Sequence, residues 1–372
     1  MKMPKTSDIL GIINKIAPIS LAEEWDNPGL QVGDPGAEIR RIMVALDPTP
    51  EVITSAIDSS CQLLVTHHPL IFKPLKVIST ATRQGAQIHS AIRAGLSIVS
   101  MHTNYDSATG GLNDLLSKRI GLSNCVPLQV TTPQEMLKLV VFVPTDHLER
   151  IRSVLFPYVA PMGKYRDCSF ATEGDGTFTP LDGAEPFIGT VGIAQKVSEQ
   201  RLELLVDRKN LPRAIKALMA AHPYEEPAYD VYSLLNEGEK QGLGRIGYLS
   251  DPVSLAEFAG RIKKSLFAPG LRYVGDPSAR LLKVALCSGS GASLLREAVR
   301  AGADVLVTGD VKYHEARDAQ DLGIAMIDAG HFATEVIMVA EITEQIGRTL
   351  CAAGYRDCQV MPCLIETDPF RT

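Results

Sequence analysis

The hydrophobic positions of the chain form short apolar runs that alternate with stretches of helical spacing. Before about residue 128, runs at 39–46, 61–66 and 96–101 predict strands, and the spacing at 50–59 and 82–94 predicts helices. Short apolar runs bounded by helical segments are typical of strands that are buried on both faces of a parallel sheet. The pattern therefore predicts βαβ units in an α/β fold.

The same pattern returns after about residue 244. Apolar runs predict strands at 281–287, 304–308 and 324–328, each followed by a helical segment, the last of them at 332–352. A glycine-rich turn at 288–291 follows the first of these strands. Because both outer segments alternate short apolar strands with helical segments, we expect them to be halves of one interrupted domain.

The middle of the chain has a different order. The expected strands at 137–143, 167–171, 201–206 and 229–234 alternate with two helical segments as β-α-β-β-α-β, which is the ferredoxin-like pattern. The predicted fold is α/β: a discontinuous core with a mostly parallel sheet (residues 1–134 and 236–372) and an inserted ferredoxin-like α+β domain (residues 135–235). Three consecutive domains are the alternative, which the shared style of the outer segments disfavours.

Composition sets the broad class of protein. A chain of 372 residues suits two domains, and its net charge of −6 disfavours a partner held mainly by phosphate contacts, so nucleic acid is not an expected partner. The seven cysteines include no C-x-x-C pair, which favours free thiols in a reducing compartment. Neither a signal-peptide core nor an apolar run near the ~20 residues of a membrane helix is present, so we expect a cytoplasmic protein.

Metal-type ligands follow three of the predicted strands. His67 and His68 come directly after the second strand, Asp106 follows the third, and His331 and Glu335 follow the last. Singly, each has an ordinary structural explanation, such as a polar loop for the histidine pair or a helix cap for Asp106. Ligand sites in open α/β sheets form beyond the carboxyl ends of the strands, so together these residues predict a metal site.

The residue types favour two ions over one. Adjacent histidines in a turn point in different directions, so His67 and His68 more naturally reach two ions, and a carboxylate can bridge them. Imidazole and carboxylate ligands suit zinc, iron, manganese or nickel better than calcium. Two cations that share a water molecule lower the pKa of that water, and such metal sites are typical of hydrolases. We therefore expect two divalent ions per chain.

Several long segments resemble one known family. VTHHPLIFKPL (65–75), MHTNYDSATGGLND (101–114), GADVLVTGDVKYHEA (302–316) and IDAGHFATE (327–335) closely resemble the NIF-three-like family of dinuclear-metal proteins, also called GTP cyclohydrolase 1 type 2 homologs. EEWDNPGLQVGD (23–34) extends the resemblance to nearly the whole chain. The stretch at 221–232, AHPYEEPAYDVY, resembles the inserted PII/CutA-like domain of the longer bacterial members.

The resemblance implies roles for individual residues. It assigns His68 and Asp106 to one ion, assigns His67 and His331 to the other, and makes Glu335 the bridge. It also implies a toroidal homo-hexamer whose metal sites face an internal cavity, and a GTP cyclohydrolase-like activity that rests on similarity.

Other polar residues near strand ends have weaker claims. His102 is expected to support the ligands without being one. Lys312 or His314, close to Asp310, is a candidate for a substrate-side charge or proton donor, with a helix-start cluster as the alternative. The turn containing Gly289 and Gly291 is a candidate phosphate site, although tight packing explains such a turn more often. A structural turn around Pro223 and Pro227 is the expected explanation for His222, Glu225 and Glu226. No role is assigned to His89 or His147.

Two functions fit these features. The first is a metal-dependent hydrolase that acts on a nucleotide such as GTP or on a phosphoester, with metal-activated water and a separate proton donor. The second is a non-enzymatic metal-binding or regulatory protein whose insert senses a small ligand. Open coordination positions distinguish the two, and five ligands leave room for water, which favours the hydrolase.

Overall fold

A computed structural model of the protein describes residues 3–371. For residues 132–134, 237 and 239 only the strand backbone is described, so residue 134, the expected end of the first segment, lies among positions without a described side chain. The chain divides into two compact units: Met1–Thr132 with Gln241–Thr372 form the first unit, and Pro133–Lys240 form the second. The boundaries expected from the sequence were at 134/135 and 235/236.

The units are built from short strands and helices, apart from two long strands. The strands are β1 (Gly29–Val32), β2 (Arg41–Ala45), β3 (Leu63–Thr66), β4 (Ser97–Ser100), β5 (Ser123–Pro144), β6 (Ser169–Phe178), β7 (Gln195–Asp207), β8 (Tyr229–Ser254), β9 (Arg272–Val274), β10 (Arg280–Leu286), β11 (Val305–Thr308), β12 (Ala325–Asp328) and β13 (Gln359–Pro362). The α-helices are α1 (Thr6–Ile16), α2 (Pro50–Asp58), α3 (Arg83–Ala94), α4 (Thr103–Ser107), α5 (Leu112–Arg119), α6 (Leu148–Leu155), α7 (Leu211–Ala221), α8 (Leu255–Ser265), α9 (Leu295–Arg300), α10 (Tyr313–Asp321), α11 (His331–Glu335) and α12 (Ile337–Ala352). Among residues 3–371 no helix is both long enough and apolar enough to cross a bilayer.

The first unit contains two sheets. In one, with the order β1-β4-β3-β2-β13, the strands β4, β3, β2 and β13 are parallel and β1 is an antiparallel edge. In the other, the parallel strands β10, β11 and β12 are flanked by β8 and β9, which run antiparallel to them. The predicted α/β class with parallel strands is confirmed for the centre of each sheet, whereas the division into two sheets and the antiparallel edges were not predicted.

Burial explains the apolar runs in the sequence. Every residue of β3, β4, β11 and β12 is buried, as expected for strands covered on both faces. Helix α12 packs on the first core through Met338 and Ile342, and α8 packs on the second through Phe258 and Ile262. Ile337, at the start of α12, contacts both cores. The loops that follow β3, β4 and β12 are therefore anchored to rigid strands.

The second unit has its own core and strand order. Its elements follow the chain as strand, α6, β6, β7, α7 and strand, and its sheet order is β6-β7-β5-β8. Ile151 and Leu155 of α6 and Leu218 of α7 pack on Leu202 and Leu204 of β7. The predicted β-α-β-β-α-β order is thus observed.

Several elements differ from the predictions in their length or in their number. β5 and β8 span 22 and 26 residues, so each continues across a unit boundary. β6 runs to Phe178, beyond the strand predicted at 167–171, because it forms a continuous antiparallel ladder with β7. The helix predicted at 332–352 is two helices, α11 and α12.

Candidate metal centre

Residues that follow β3 and β4 supply three of the predicted ligands. His67 and His68 come immediately after the last residue of β3. Asp106 lies on α4, a five-residue helix that begins two residues after β4 ends. Since β3 and β4 are parallel neighbours, their carboxyl ends bring these side chains to the same edge of the first sheet.

The other two ligands come from the second sheet. β12 ends at Asp328, and Gly330, at a φ of +86°, turns the chain into α11. His331 and Glu335 are the first and last residues of α11, and their separation of four places them on one helix face.

The three predicted histidine ligands lie around the carboxylate of Glu335, and Asp106 lies beside one of them. Its Oε2 lies 3.1 Å from His68 Nε2 and 3.0 Å from His331 Nε2, and those two nitrogens are 3.3 Å apart. Its Oε1 lies 3.7 Å from His67 Nε2, which is 3.8 Å from Asp106 Oδ1. Oε2 of Glu335 therefore faces His68 and His331, whereas Oε1 faces His67.

These distances favour a different division of the ligands from the expected one. His68 faces His331 rather than Asp106, and His67 faces Asp106 rather than His331. The reason is the orientation of the fully buried His67, whose Nδ1 lies 2.7 Å from the carbonyl oxygen of Met101, next to β4. That contact directs His67 Nε2 towards the helix that carries Asp106.

The donor atoms fit a divalent metal. His67 Nε2 and Glu335 Oε2 are buried and have no hydrogen-bond partner among the described residues, because the nearby nitrogens are close but not aligned for hydrogen bonds. Leaving such atoms unpaired costs roughly 1–3 kcal/mol each, so they are normally satisfied. His68, His331 and Glu335 are arranged so that they can hold an ion, and imidazole with carboxylate is a suitable donor set.

Two carboxylates orient the partly exposed imidazoles from behind. His68 Nδ1 lies 2.7 Å from Asp47 Oδ1, and His331 Nδ1 lies 2.7 Å from Asp310 Oδ2. A carboxylate at Nδ1 keeps the proton there and leaves the Nε2 lone pair for a metal, which is the usual support for a histidine ligand. The rings are therefore held in the orientation and tautomer that metal binding requires.

The electrostatics of the cluster favour added positive charge. Burial alone would lower the pKa of His68 and of His331, but the neighbouring carboxylates outweigh it and raise these values to about 10 and about 9. Burial would also lower the pKa of His67, yet the Glu335 and Asp106 carboxylates raise it. Burial would raise the pKa of Glu335, but the surrounding imidazoles hold it well below the usual range. At Asp106 burial has the larger effect and raises the pKa. A cation can replace the protons that these carboxylates attract.

The glycine-rich turn after β10 packs directly against the cluster. A Cβ on Gly289, whose φ is +59°, would collide with Glu335 Oε1 and lie 3.2 Å from His331 Nε2. A Cβ on Gly291 would collide with Cys287. Close packing thus accounts for both glycines without the phosphate-site alternative.

His102 stands beside the ligand pairs, as its expected supporting role requires. Its ring centroid lies 5.2 Å from that of His67 and 5.6 Å from that of His68, and these three residues also form a group that can hold an ion. Its Nδ1 lies 2.7 Å from Asp26 Oδ1, which leaves Nε2 available to the site. Asp26 also accepts hydrogen bonds from the backbone and hydroxyl groups of Thr103, so it fixes the start of α4.

Two exposed aromatic side chains flank His102. Trp25 is 59% exposed and Phe72 is 43% exposed, and their ring centroids are 5.7 Å apart. The His102 ring lies 6.1 Å from Trp25 and 6.3 Å from Phe72. Exposed aromatic groups beside a polar cluster are candidates for stacking on a planar ring.

Asp310, Lys312 and His314 do not act as one cluster in the structure. Asp310 supports His331, but the contacts of Lys312 and His314 lie at the start of their own helix. The backbone N–H of Lys312 donates to Glu315, and the His314 ring packs 5.4 Å from the ring of Tyr313. Both side chains are exposed, as the helix-start alternative predicts.

The histidines of the second unit have structural contacts. His222 is buried, donates from Nε2 to a backbone carbonyl oxygen 3.0 Å away and accepts from the Tyr224 N–H at Nδ1. The His147 ring packs 5.6 Å from that of Phe187. These positions agree with the absence of an assigned role.

Two supporting residues were not predicted from the sequence. Asp47 follows the end of β2, so the rule that selected the ligands at the strand ends also applied to it. Asp26 lies within the segment at 23–34 that carries part of the family resemblance, but it is 76 residues from His102, and no local pattern links the two.

Comparison with known proteins places the chain in a family. A family model described as Duf34/NIF3 (NGG1p interacting factor 3) matches residues 4–369. The chain belongs to the DUF34/NIF3 family. The resemblance read from the sequence motifs is therefore confirmed.

Several DUF34/NIF3 relatives cover the whole chain. A protein of Halalkalibacterium halodurans named GTP cyclohydrolase 1 type 2 homolog is 41% identical over 371 residues, which is 100% of this chain and 99% of that protein. A protein of the same name from Bacillus subtilis is 39% identical and covers 97% of each chain. The solved structure of a Bacillus cereus protein related to NIF3 is 39% identical, with a TM-score of 0.93 over 100% of both chains.

Proposed function

We propose that this DUF34/NIF3 protein binds two divalent cations and uses them to hydrolyse a small substrate. The observation that carries the proposal is the buried carboxylate of Glu335, whose two oxygens face different imidazoles. His67, Asp106 and Glu335 would hold one cation. His68, His331 and Glu335 would hold the other.

The chain's own residues prepare the site for this chemistry. Two cations, when bound, act as Lewis acids and lower the pKa of water. Asp47 and Asp310 hold protons on the Nδ1 atoms of His68 and His331, so that Nε2 of each faces the site. Five ligands shared by two cations leave coordination positions for water and substrate, as a catalytic site requires.

His102 is the residue best placed to transfer a proton. Asp26 anchors its Nδ1, while Nε2 is left beside the ligand set, and its side chain retains 15% exposure. A positioned general acid or base contributes roughly 10²–10⁴-fold to a rate. We therefore expect His102→Gln to lower turnover by that order while both metals stay bound.

The substrate class follows from the aromatic pair at the edge of the site. Trp25 and Phe72 present exposed ring faces next to His102. The relatives' name refers to GTP, and a purine ring is a planar group that can stack on such side chains. A nucleotide is therefore the first substrate to test, with simple phosphoesters as the second.

The test is turnover with defined metal content. Protein stripped with a chelator is reloaded with zinc, manganese, iron or nickel and incubated with GTP, other nucleotides and phosphoesters. We expect metal-dependent product formation that is lost in Glu335→Gln and weakened in Trp25→Ala, with Lys263→Ala, an exposed position on α8, as the unaffected control. Full metal loading without turnover of any substrate would contradict the hydrolase proposal.

One observation favours the alternative, a metal-binding protein with a ligand-sensing insert. The second unit contains a cavity of about 880 Å³, remote in sequence from the ligands. Its element order and sheet order support our further proposal that it is a ferredoxin-like domain of the PII/CutA-like type. Ligand binding there without turnover at the metal centre would favour this alternative.

Assembly and location are proposed from the family resemblance and the thiols. We propose a homo-hexamer in the cytoplasm, where the seven free cysteines would stay reduced. Light scattering coupled to size-exclusion chromatography tests the assembly, since a hexamer has six times the chain mass of 40.2 kDa. A monomer or dimer at micromolar concentration would contradict it.

A further inference from the structure

The second unit contains a cavity that no part of the proposed metal chemistry uses. Its volume is about 880 Å³, and all of its lining residues lie between Phe142 and Ala228. It is bounded by β6, by the loop at 179–188 and by the turn that follows His222. Cavities of this size are typical of sites for small organic ligands.

The walls of the cavity are aromatic. Phe142, Phe178, Phe187 and Tyr224 line it. The ring centroid of Tyr224 lies 5.9 Å from that of Phe178 and 6.4 Å from that of Phe187. Aromatic faces attract cations through the negative potential above the ring.

A carboxylate lies in the cavity wall with little access to solvent. Glu199 is 8% exposed, and its Oε1 accepts a hydrogen bond of 3.0 Å from the Tyr224 hydroxyl. Among the described residues no lysine, arginine or histidine forms an ion pair with Glu199. Its Oε2 lies so close to the backbone at Gly176 that a Cβ there would collide with it. The carboxylate is thus fixed in place without a cationic partner.

Among the charged residues of the lining, carboxylates outnumber basic side chains. Arg201 is the basic residue of the lining, and it lies 3.1 Å from Glu203, which is not part of the lining. Glu225 accepts a hydrogen bond from the Glu185 N–H, which fastens the loop over the cavity to the turn beside it. Besides Glu199, the lining contains further carboxylates: Glu173, Asp175, Asp182, Glu225 and Glu226.

We propose that this cavity binds an organic cation, an ammonium group carried on an aromatic or apolar body. The aromatic walls suit the body of such a ligand, and Glu199 supplies the charge that its ammonium group requires. An anion would meet the surrounding carboxylates, and a small inorganic cation would leave the aromatic walls without a partner. The cavity shares no residue with the metal centre, and the proposal does not depend on the function proposed there.

A series of probes that differ in charge tests the proposal on the full chain. Calorimetric titrations use benzyltrimethylammonium, benzyl alcohol and phenylacetate at the same ionic strength. We expect benzyltrimethylammonium to bind at least tenfold more tightly than benzyl alcohol, and phenylacetate to show no binding. Equal affinity for the cation and the alcohol, a preference for phenylacetate, or no binding of the cation would each overturn the proposal.

Variants then locate the binding. Glu199→Gln keeps the size of the side chain and removes its charge, so we expect at least a tenfold loss of affinity for benzyltrimethylammonium. Glu149→Gln makes the same change at an exposed residue of α6 outside the cavity and should bind as the wild type does. Unchanged binding by a folded Glu199→Gln variant, or displacement of the probe by millimolar magnesium, would overturn the proposal. If Glu199→Gln fails to fold, Tyr224→Phe replaces it, and the wild-type probe series decides independently.

Discussion

The carboxylate of Asp310 lies 2.7 Å from Nδ1 of His331, on the side of the ring that faces away from Glu335. Asp310 adopts a φ of +55°, in the left-handed region that residues other than glycine rarely occupy. It follows Gly309, where a Cβ would lie 2.6 Å from the backbone nitrogen of His331. Strained backbone of this kind tends to occur at functional sites, and here it delivers a carboxylate to a ligand histidine.

Replacing Asp310 with asparagine tests that support. The amide removes the negative charge behind His331 and no longer enforces a proton on Nδ1, so we expect metal affinity to fall about 10–100-fold. Competition with a chromophoric chelator measures the change. Asp318→Asn, an exposed position on α10, is the matched control. Equal affinities of the Asp310 variant and the control would exclude this role.

Substitutions of Glu335 and of His331 should change the number of bound metal ions differently. Two dications close together repel each other strongly, and an anionic bridge offsets that repulsion. Glu335→Gln should therefore lose both ions, whereas His331→Ala should mainly empty the centre that it shares with His68. Elemental analysis after gentle purification counts the ions, and thermal unfolding checks that each variant is folded. Retention of two tightly bound ions by Glu335→Gln would remove the bridging role.

The strand ends explain why most of the site was predictable. His67, His68 and Asp106 follow buried apolar strands, and the sequence shows such strands clearly because they are covered on both faces. The side-chain distances favour a different pairing of the ligands from the predicted one, because a backbone carbonyl fixes the ring orientation of His67. Ring orientation leaves no trace in local sequence.

The full length of the long strands β5 and β8 could not be predicted from the sequence either. β5 was predicted only at 137–143, because its earlier residues are mostly exposed or half-buried and form no apolar run. β8 was predicted only at 229–234, although its later part buries Ile246, Leu249 and Val253, because glycine and polar residues interrupt the apolar positions there. The separation of the parallel strands into two sheets depends on which strands pair across the chain, and apolar periodicity does not encode that pairing.

Deleting the second unit should leave a metal-binding protein. All five ligands lie in the first unit, and the chain positions that flank the deletion are adjacent there, since a Cβ on Gly242 would lie 2.8 Å from the backbone nitrogen of Thr131. A two-residue Asn-Gly turn in place of residues 133–240 suits such a hairpin. We expect circular dichroism to show a folded chain and metal analysis to show unchanged stoichiometry. A soluble, compact deletion variant that binds no metal would refute this modular organisation.

The last prediction concerns Asp26 and acid pH. Burial alone would raise the pKa of Asp26, but its hydrogen bonds with His102 and Thr103 outweigh burial and lower the value from 3.8 to about 2. A lowered pKa in the folded state stabilises the protein above pH 3.8, and that contribution disappears as the pH falls through about 2. The shift corresponds to about 2 kcal/mol of unfolding free energy, since one pKa unit is worth about 1.4 kcal/mol.

Asp26→Asn should therefore destabilise the protein by about 2 kcal/mol at pH 7. The difference from the wild type should shrink steadily between pH 4 and pH 2, because Asp26 of the folded wild type then becomes protonated as well. Urea unfolding at pH 7, 5, 4 and 3 measures this, with Asp58→Asn, an exposed residue at the end of α2, as the control. Since Asp26 fixes the start of the helix that carries Asp106, the variant should also bind metal more weakly at pH 7. A difference in stability that stays constant from pH 7 to pH 3 would show that Asp26 acts through packing rather than through its charge.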